Sequence, residues 1–597
     1  MSAVHRYLIT TADEQTWKFD RPIIFLGEWC QRYDRMHVWK NMDAIVATPY
    51  GLDAAKKEYD YTYARNLEAT IFPHLCAVLN EHHATAHSIR YWQIVLGHWF
   101  RRYVDVMVNR VNSLQKCFND YKISSTALYA NRDYVLASQD SNSAIWAFSD
   151  ARWNAKLAMK IMQLLDFKNC EFDLIEDNQK KEFPFTLSKM YTQVNSNLLT
   201  RGRHKVQKFI NQLVKDSDAF IINTYLPKMQ VIKLQLALGQ WPHRWVSPKI
   251  SNSYPINTVI RNKLSQFMLA GDYDDLEQVI RVLSFELLPM CYLEGYEDIN
   301  SLIQQQPWPK NPKFIFTSNS FDTDEVFKIW TANKTESGTK YFVGQHGNNY
   351  GTYRYLKDSI EEISSDKFIT WGWSENLPQH TPAFIFKTSA KKSKKYNPKG
   401  GLLLIELCLN HRITTWDSDE EFSKYFEDQK IFIENLSDQP RKKLTIRLHS
   451  EYVHHKWGEE ARWKEFDPML KLDKGSAPVF DLVSKSRLVV HSYDSTGILE
   501  TLSLNIPTVA FWQNDLHHLR ESAKPYYQLL IDAGIVHLSP DSVARKINEI
   551  WGDVDGWWQQ ENVQTARNQF CEQYAKNSQH PISMLRLIFR GSLGGRN

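Results

Sequence analysis

Cysteine is scarce in this 597-residue chain, with seven residues at 30, 76, 117, 170, 291, 408 and 571 and no C-x-x-C pair. Structural disulfides and a thiolate zinc site therefore lack their usual sequence support, and a reducing cytoplasm is the expected compartment. Long apolar runs are missing too, and none reaches the ~18 residues of a membrane-spanning helix. The opening stretch MSAVHRYLITTADEQTW has no basic end followed by an apolar segment, so no secretory signal is expected. Charge of one sign is nearly balanced. Seventy-two Lys and Arg against 68 Asp and Glu leave +4, which gives no argument for a nucleic-acid partner. No G-x-x-x-x-G-K-[ST], G-x-G-x-x-G or G-x-S-x-G stretch occurs, so ATPase, dehydrogenase and α/β-hydrolase readings lose their signatures.

Aromatic residues are abundant: 20 Trp, 28 Tyr and 30 Phe make 13% of the chain. They suit either a large packed core or a cleft in which sugar rings stack. A hydrophobic fraction of 43% with a mean hydropathy of −0.47 describes a globular chain, and its length calls for more than one core.

The run Arg21-Pro22-Ile23-Ile24-Phe25-Leu26-Gly27-Glu28 has the form of a buried strand ending in glycine and a carboxylate. From about 60 to 300 helical spacing dominates and few runs read as strands. Strand–helix alternation returns with Lys313–Asn319, a helix near Asp324–Ala332, Lys340–Val343 and Phe368–Trp373. Residues 387–400, KTSAKKSKKYNPKG, are basic, carry no apolar period and read as a solvated linker. Beyond them, strands at 401–407, 444–448, 487–490, 508–511 and 535–538 alternate with helices at 421–434, 496–504, 516–533 and 541–551. This rhythm builds a parallel sheet covered on both faces. The expected architecture is α/β with two Rossmann-like domains facing a cleft. Residues 1–386 form the acceptor side with a helical insertion, and 401–597 form the nucleotide-sugar side. Ligands of such sheets bind beyond the strand C-termini.

Three polar constellations fall at those ends. In Val490-His491-Ser492-Tyr493-Asp494-Ser495-Thr496-Gly497 a strand stops and a helix begins at once. The helix start offers unbonded N–H groups to an anion, the hydroxyls add donors, and Gly497 admits a phosphate. Glu500, one turn on, can accept from a ribose diol. Plain N-capping by Ser495 and Thr496, with Glu500 solvated, explains the same residues. Gly344-Gln345-His346-Gly347 places an imidazole at a strand end in the other half, as proton carrier or phosphate partner, or as a structural histidine. In Arg447-Leu448-His449, alternation puts Arg447 and His449 on one side, to grip a diphosphate or, for Arg447, to form a structural salt bridge. Asp-x-Asp at 272/274, 322/324, 417/419 and 553/555 is at the level of chance among 68 acids, and His82, His83 and His87 lack a companion carboxylate motif, so no metal is expected.

At these motifs the chain resembles a family of transferases from surface-carbohydrate and O-antigen gene clusters. The resembling pieces are Leu79-Asn80, Ser88–Trp99, Gly344–Gly347, Trp371-Gly372-Trp373, Arg447–His449 and His491–Glu500. More distantly, Val490–Val509 is similar to the nucleotide-sugar half of GT-B glycosyltransferases, with capsule Kdo transferases nearest. The His346-Gly347 pair is similar to one in polyol-phosphate transferases. The chain departs from the pattern at His491-Ser492-Tyr493-Asp494 and at Ser450, where a proline is common.

The resemblance implies a glycosyltransferase that moves a sugar from a nucleotide donor, with a CMP-activated acidic sugar first, to a surface glycan. The acceptor is a glycan or lipid-linked glycan, and neither cofactor nor metal is needed. Arg447, His449, Ser495, Thr496 and Gly497 would hold the departing phosphate and Glu500 the ribose. His346 would carry the proton, with Glu28 as reserve base, and Gly344, Gln345, Gly347 and Asp494 would line the cleft. Lys391, Lys392, Lys394 and Lys395 could touch the inner membrane surface. A nucleotide-sugar epimerase or hydrolase, and a non-catalytic glycan-binding protein, are the alternatives.

Overall fold

Short β-branched and aromatic runs, too brief for helices, become strands of three parallel sheets. The computed structural model describes residues 4–592 apart from 131–135, 168–169, 178–213, 251–253, 376, 391–395, 408–421, 451, 456–457 and 513–514. The first sheet holds β1 (Arg6–Ile9), β2 (Ile23–Phe25), β3 (Ala44–Val46), β4 (Ile123–Tyr129) and β5 (Glu171–Ile175), in the order β3-β2-β1-β4-β5. The middle sheet holds β6 (Phe220–Ile221), β7 (Phe314–Thr317), β8 (Lys340–Gly344), β9 (Lys367–Thr370) and β10 (His380–Pro382), stacked in sequence order. The third holds β11 (Gly401–Ile405), β12 (Leu444–Arg447), β13 (Lys471–Asp473), β14 (Ser486–His491), β15 (Thr508–Phe511) and β16 (Val536–His537), in the order β13-β12-β11-β14-β15-β16. All four residues of β7 and of β15 are buried, as sheets covered on both faces require.

Helices α1 (Ala54–His82) and α2 (His98–Asp120) run between β3 and β4, and α3 (Ala151–Leu165) follows β4. The segment between α1 and α2 is tied down by its polar residues. Ser88 Oγ caps the turn by accepting from Tyr91 N (3.1 Å), and Trp92 Nε1 donates to Asn80 Oδ1 (3.1 Å). Arg90 reaches Asp366 (2.8 Å) beside the middle sheet. Residues Gln93–Gly97 wind as one π turn, which sets the rotation at which α2 leaves. In the third region, α4 (Glu459–Phe466) precedes β13 and α5 (Thr496–Ser503) follows β14, and α6 (Pro581–Ser592) ends the described chain.

The parallel α/β class stands as expected from the sequence, and the third sheet carries the five expected strands with β13 added at its edge. Three expectations differ. The block from 60 to 300 contributes β4, β5 and β6 as well as helices, so the N-terminal half spans two sheets. The stretch 387–400 is not simply a solvated linker. Thr388 and Ser389 are buried, and Thr388 shares a hydrogen bond with Ser503 (3.0 Å), while 391–395 lie outside the described residues. The last helix leaves the third sheet for the middle one: the Phe589 ring sits 4.4 Å from Phe314, 5.1 Å from Phe342 and 5.2 Å from Phe316. An apolar helix face finds its cover where an apolar sheet face is open, whatever the chain order.

This return packing predicts that Phe589→Ala costs about 3–5 kcal/mol of unfolding free energy. Leu587→Ala, on the same helix but 72% exposed, should change it by under about 0.5 kcal/mol. Denaturant midpoints of the two variants check this.

Candidate functional site

The end of β8 is built so that one side chain leaves it. Gly344 admits no Cβ, which would fall 2.1 Å from the Phe386 ring and 2.5 Å from Ser318 Oγ. Gln345 turns inward and is buried. Its Nε2 donates to Gly347 O (2.7 Å), and its Oε1 accepts from Trp371 N (2.9 Å) and Trp373 Nε1 (2.8 Å). Held between these inward residues, His346 projects into the cleft, edge-on to Tyr225 (5.3 Å).

The end of β14 is built by capping. Ser495 Oγ accepts from Ile498 N (3.3 Å) and so starts α5. The buried His491 ring lies beneath, and a Cβ on Gly497 would fall 2.6 Å from its Cε1. Glycine is therefore needed here for packing. The two strand ends meet directly. Asn348 N donates to Thr496 Oγ1 (3.0 Å) and Asn348 Nδ2 to Asp494 Oδ1 (2.9 Å). Asp494 also accepts from Tyr527 (2.9 and 3.1 Å) and lies 3.2 Å from His518 Nε2.

Between them opens a cavity of about 540 Å³, within the range of small-molecule sites. Its walls include His346–Tyr350, Tyr493–Gly497, Phe321-Asp322, Glu361, and His98, Arg101 and Arg102 from α2. Burial alone would raise the Asp322 carboxyl, but Arg102 holds it in a fork at 2.5 and 2.9 Å and wins, keeping it well below the usual range. Lys328, fully buried, donates to Asp322 O (3.1 Å) and fixes that turn. Arg101 pairs with Glu68 (2.9 Å). Burial pushes His98 down to about 4, against the opposing pull of Glu361 3.7 Å away. Enclosure by protein also lowers His346 below its ordinary 6.5, against the pull of the Asp322 charge and with the help of the Arg102 and Lys387 charges. Both imidazoles are mainly neutral at pH 7. The site thus offers a neutral base, a helix start and internally matched ion pairs.

The structure brings together His346, Gly347, Asp494, Ser495, Thr496 and Gly497. It places the other candidates elsewhere. Gly344 and Gln345 support the loop from inside. Glu500 is buried and lies 2.7 Å from Lys387 Nζ, off the cavity wall. Arg447 spends its guanidinium on Asp473, Gly475 O (3.2 Å) and Ala477 O (2.8 Å), the structural salt bridge weighed for it above. His449, exposed at the end of β12, does not line the cavity. Glu28 sits on the turn after β2, in the first sheet, where its charge acts on Arg462 of α4. Sequence reading missed His98, Arg101, Arg102 and Asp322. His98 lay inside the Ser88–Trp99 motif, and Asp322 was one of the Asp-x-Asp pairs set aside as chance. Among the described residues no group of three or more His, Cys, Asp or Glu could hold a metal ion, and no described helix is long and apolar enough to cross a membrane.

The family model of the LIC12162 family transferases matches residues 6–589. No curated protein matches the chain. Among solved structures, similar ones include a protein assigned as a UDP-N-acetylglucosamine 2-epimerase from Listeria monocytogenes (12% identity, 64% of this chain and 97% of that one, TM-score 0.36). MnaA of S. aureus, solved with UDP, shows 14% identity over 63% of this chain and 96% of its own, with a TM-score of 0.35. The wall teichoic acid polymerase TagF shows 10% identity over 66% and 95%, with a TM-score of 0.31.

The Asp494 junction generates a graded prediction. Asp494→Ala strands three donors at once and should cost about 3 kcal/mol, whereas Tyr527→Phe removes one hydroxyl and should cost about 1 kcal/mol. Denaturant unfolding of the two variants gives the order.

Proposed function

This chain belongs to the LIC12162 transferase family, and we propose that the group it transfers is a sugar carried on a nucleotide. One observation carries the reading: the His346 loop and the start of α5 line the same cavity, joined through Asn348. In a glycosyl transfer the donor's phosphate gains negative charge as the sugar leaves. Thr496 and Gly497 present the N–H groups that a helix leaves unbonded in its first turn, and preorganised dipoles of this kind stabilise charge as it develops. The Thr496 hydroxyl, which accepts from Asn348 N, keeps its proton for the same oxygen. His346, mainly neutral, takes the proton of the attacking acceptor hydroxyl. Arg102 and Asp322 hold each other and shape the wall beside His346. A CMP-linked acidic sugar is the first donor to test and a surface glycan the first acceptor, on the resemblance to capsule Kdo transferases.

A thermal-shift series with CMP-, CDP-, UDP-, GDP- and dTDP-linked sugars tests donor binding. At 100 times Kd a bound donor adds about 2.7 kcal/mol of apparent stability. No response to any of them would sink the reading, and turnover without an acceptor would point to a hydrolase or epimerase instead. With the donor in hand, His346→Ala should keep the thermal shift and lose about 10²–10⁴ in kcat/KM. Because the pKa of His346 is depressed, activity should be flat through neutrality and fall as pH drops through a value below 6.5. A pH profile that lacks this acid limb in the wild type assigns the proton to another group.

A further inference from the structure

A second cavity lies in the first sheet, where the strand order reverses between β1 and β4. Residues following β1 (Thr10, Thr11 and Ala12), the start of α3 at Ala151, and Asn109, Arg110 and Ser113 on α2 are among its walls. Arg110 is only 6% exposed, and its bonds go to neutral oxygens: Nε to Asn154 Oδ1 (2.8 Å), Nη1 to Asn109 Oδ1 (2.7 Å) and Nη2 to Phe148 O (3.0 Å). No carboxylate among the described residues pairs with it. Burial pushes its guanidinium down to about 9, with only Tyr50 opposing. Around it the Thr10 and Ser113 hydroxyls and the Asn109 amide nitrogen, 5%, 9% and 1% exposed, donate to no described residue.

A buried cation ringed by idle donors, with no counter-charge among the described residues, is chemically incomplete, since interior charges are normally paired. The missing partner is an acceptor that carries negative charge. We propose that this cavity is a binding site for a small oxyanion such as phosphate, either free or as the end of a larger molecule. Its volume of about 30 Å³ exceeds the ~10–15 Å³ that one water needs and is far too little for a nucleotide. Strand-order reversals are where open parallel sheets take ligands. The site is separate from the cavity at His346, so it stands whether or not the donor proposal survives.

The test uses the full chain. Ser113→Asp sets a carboxylate beside Arg110 and supplies the missing charge from within. Phosphate should raise the melting temperature of the wild type in a saturable way. Ser113→Asp should lose that part of the response and be at least as stable as the wild type in anion-free buffer. Wild-type crystals soaked in selenate should show an anomalous peak beside Arg110 that is absent in the variant. Phenyl phosphate in place of phosphate distinguishes the sources: a shift with both means the terminal group of a larger molecule fits, and a shift with phosphate alone means the free ion. A missing anomalous peak at Arg110, or a destabilised Ser113→Asp that keeps the whole phosphate response, overturns the proposal. Should Ser113→Asp fail to fold, Arg110→Gln read by the selenate peak decides the same point.

Discussion

The contact between the loop after β8 and the turn after β14 is the constraint on which the candidate site depends. His346 and α5 follow strands of different sheets, and they meet at one cavity where Asn348 bonds to Thr496 and Asp494 across the gap. Two hydrogen bonds of about 1 kcal/mol each would not fix two sheets by themselves. Further ties act in parallel. Arg354 N donates to His518 O (2.9 Å), Arg520 N to Thr352 O (2.7 Å), and the Arg520 guanidinium reaches Tyr353 O (3.1 Å), Leu356 O (3.0 Å) and Glu375 (2.9 Å). Lys387 meets Glu500, and α6 lies across the middle sheet. The orientation is over-determined by many modest terms, which is how a cleft keeps its geometry while its floor stays open.

The charges of that cleft follow a different economy from its shape. Arg102 faces Asp322, Arg101 faces Glu68, and Arg65 faces Asp105. Each of these cations is matched by a carboxylate. What remains for an anionic group is the unmatched polarity of the α5 start and the Thr496 hydroxyl, beside an imidazole held neutral. Dipoles of this kind need no reorganisation when charge appears and attract little when it is absent, which favours a transition state over a ground state. Arg110, on α2 beside the first sheet, is the opposite case: a full charge, buried, with no carboxylate partner among the described residues.

How much of this was legible in the sequence depended on what each residue's neighbours were. Five of the six strands of the third sheet announce themselves as short, mostly apolar runs between helices, and the Asp494–Gly497 turn and His346 sit where such runs stop. The strands of the first sheet do not. β4 reads I-S-S-T-A-L-Y, and its buried Ser125 and Thr126 disguise the apolar period; the Thr126 hydroxyl is satisfied by Leu8 O (2.9 Å), a partner 118 positions away. Arg447 carried the same local signature as a phosphate ligand. Its true partner, Asp473, lies on a three-residue strand too short to register as one. Asp322 was discarded as one acid among many, because the Arg102 that gives it meaning stands 220 residues earlier. Strand-end position is local information; charge pairing across elements is not.

The three sheets also divide the work by topology. The first and third run outward from a central strand and then reverse, at β1/β4 and β11/β14, and each reversal opens a crevice at the strand C-termini. The middle sheet is laid down in strict sequence, has no reversal and so no crevice of its own. What it contributes is a wall: the loops after β7 and β8, which carry Asp322 and His346 to the crevice of the third sheet, where Ser492 N and Oγ close onto Ile405 O (3.4 and 3.2 Å). The crevice of the first sheet is lined by the residues after β1, by α2 and by the start of α3, and narrows around Arg110. The two reversals thus give crevices of very different size, about 540 Å³ beside His346 and about 30 Å³ beside Arg110.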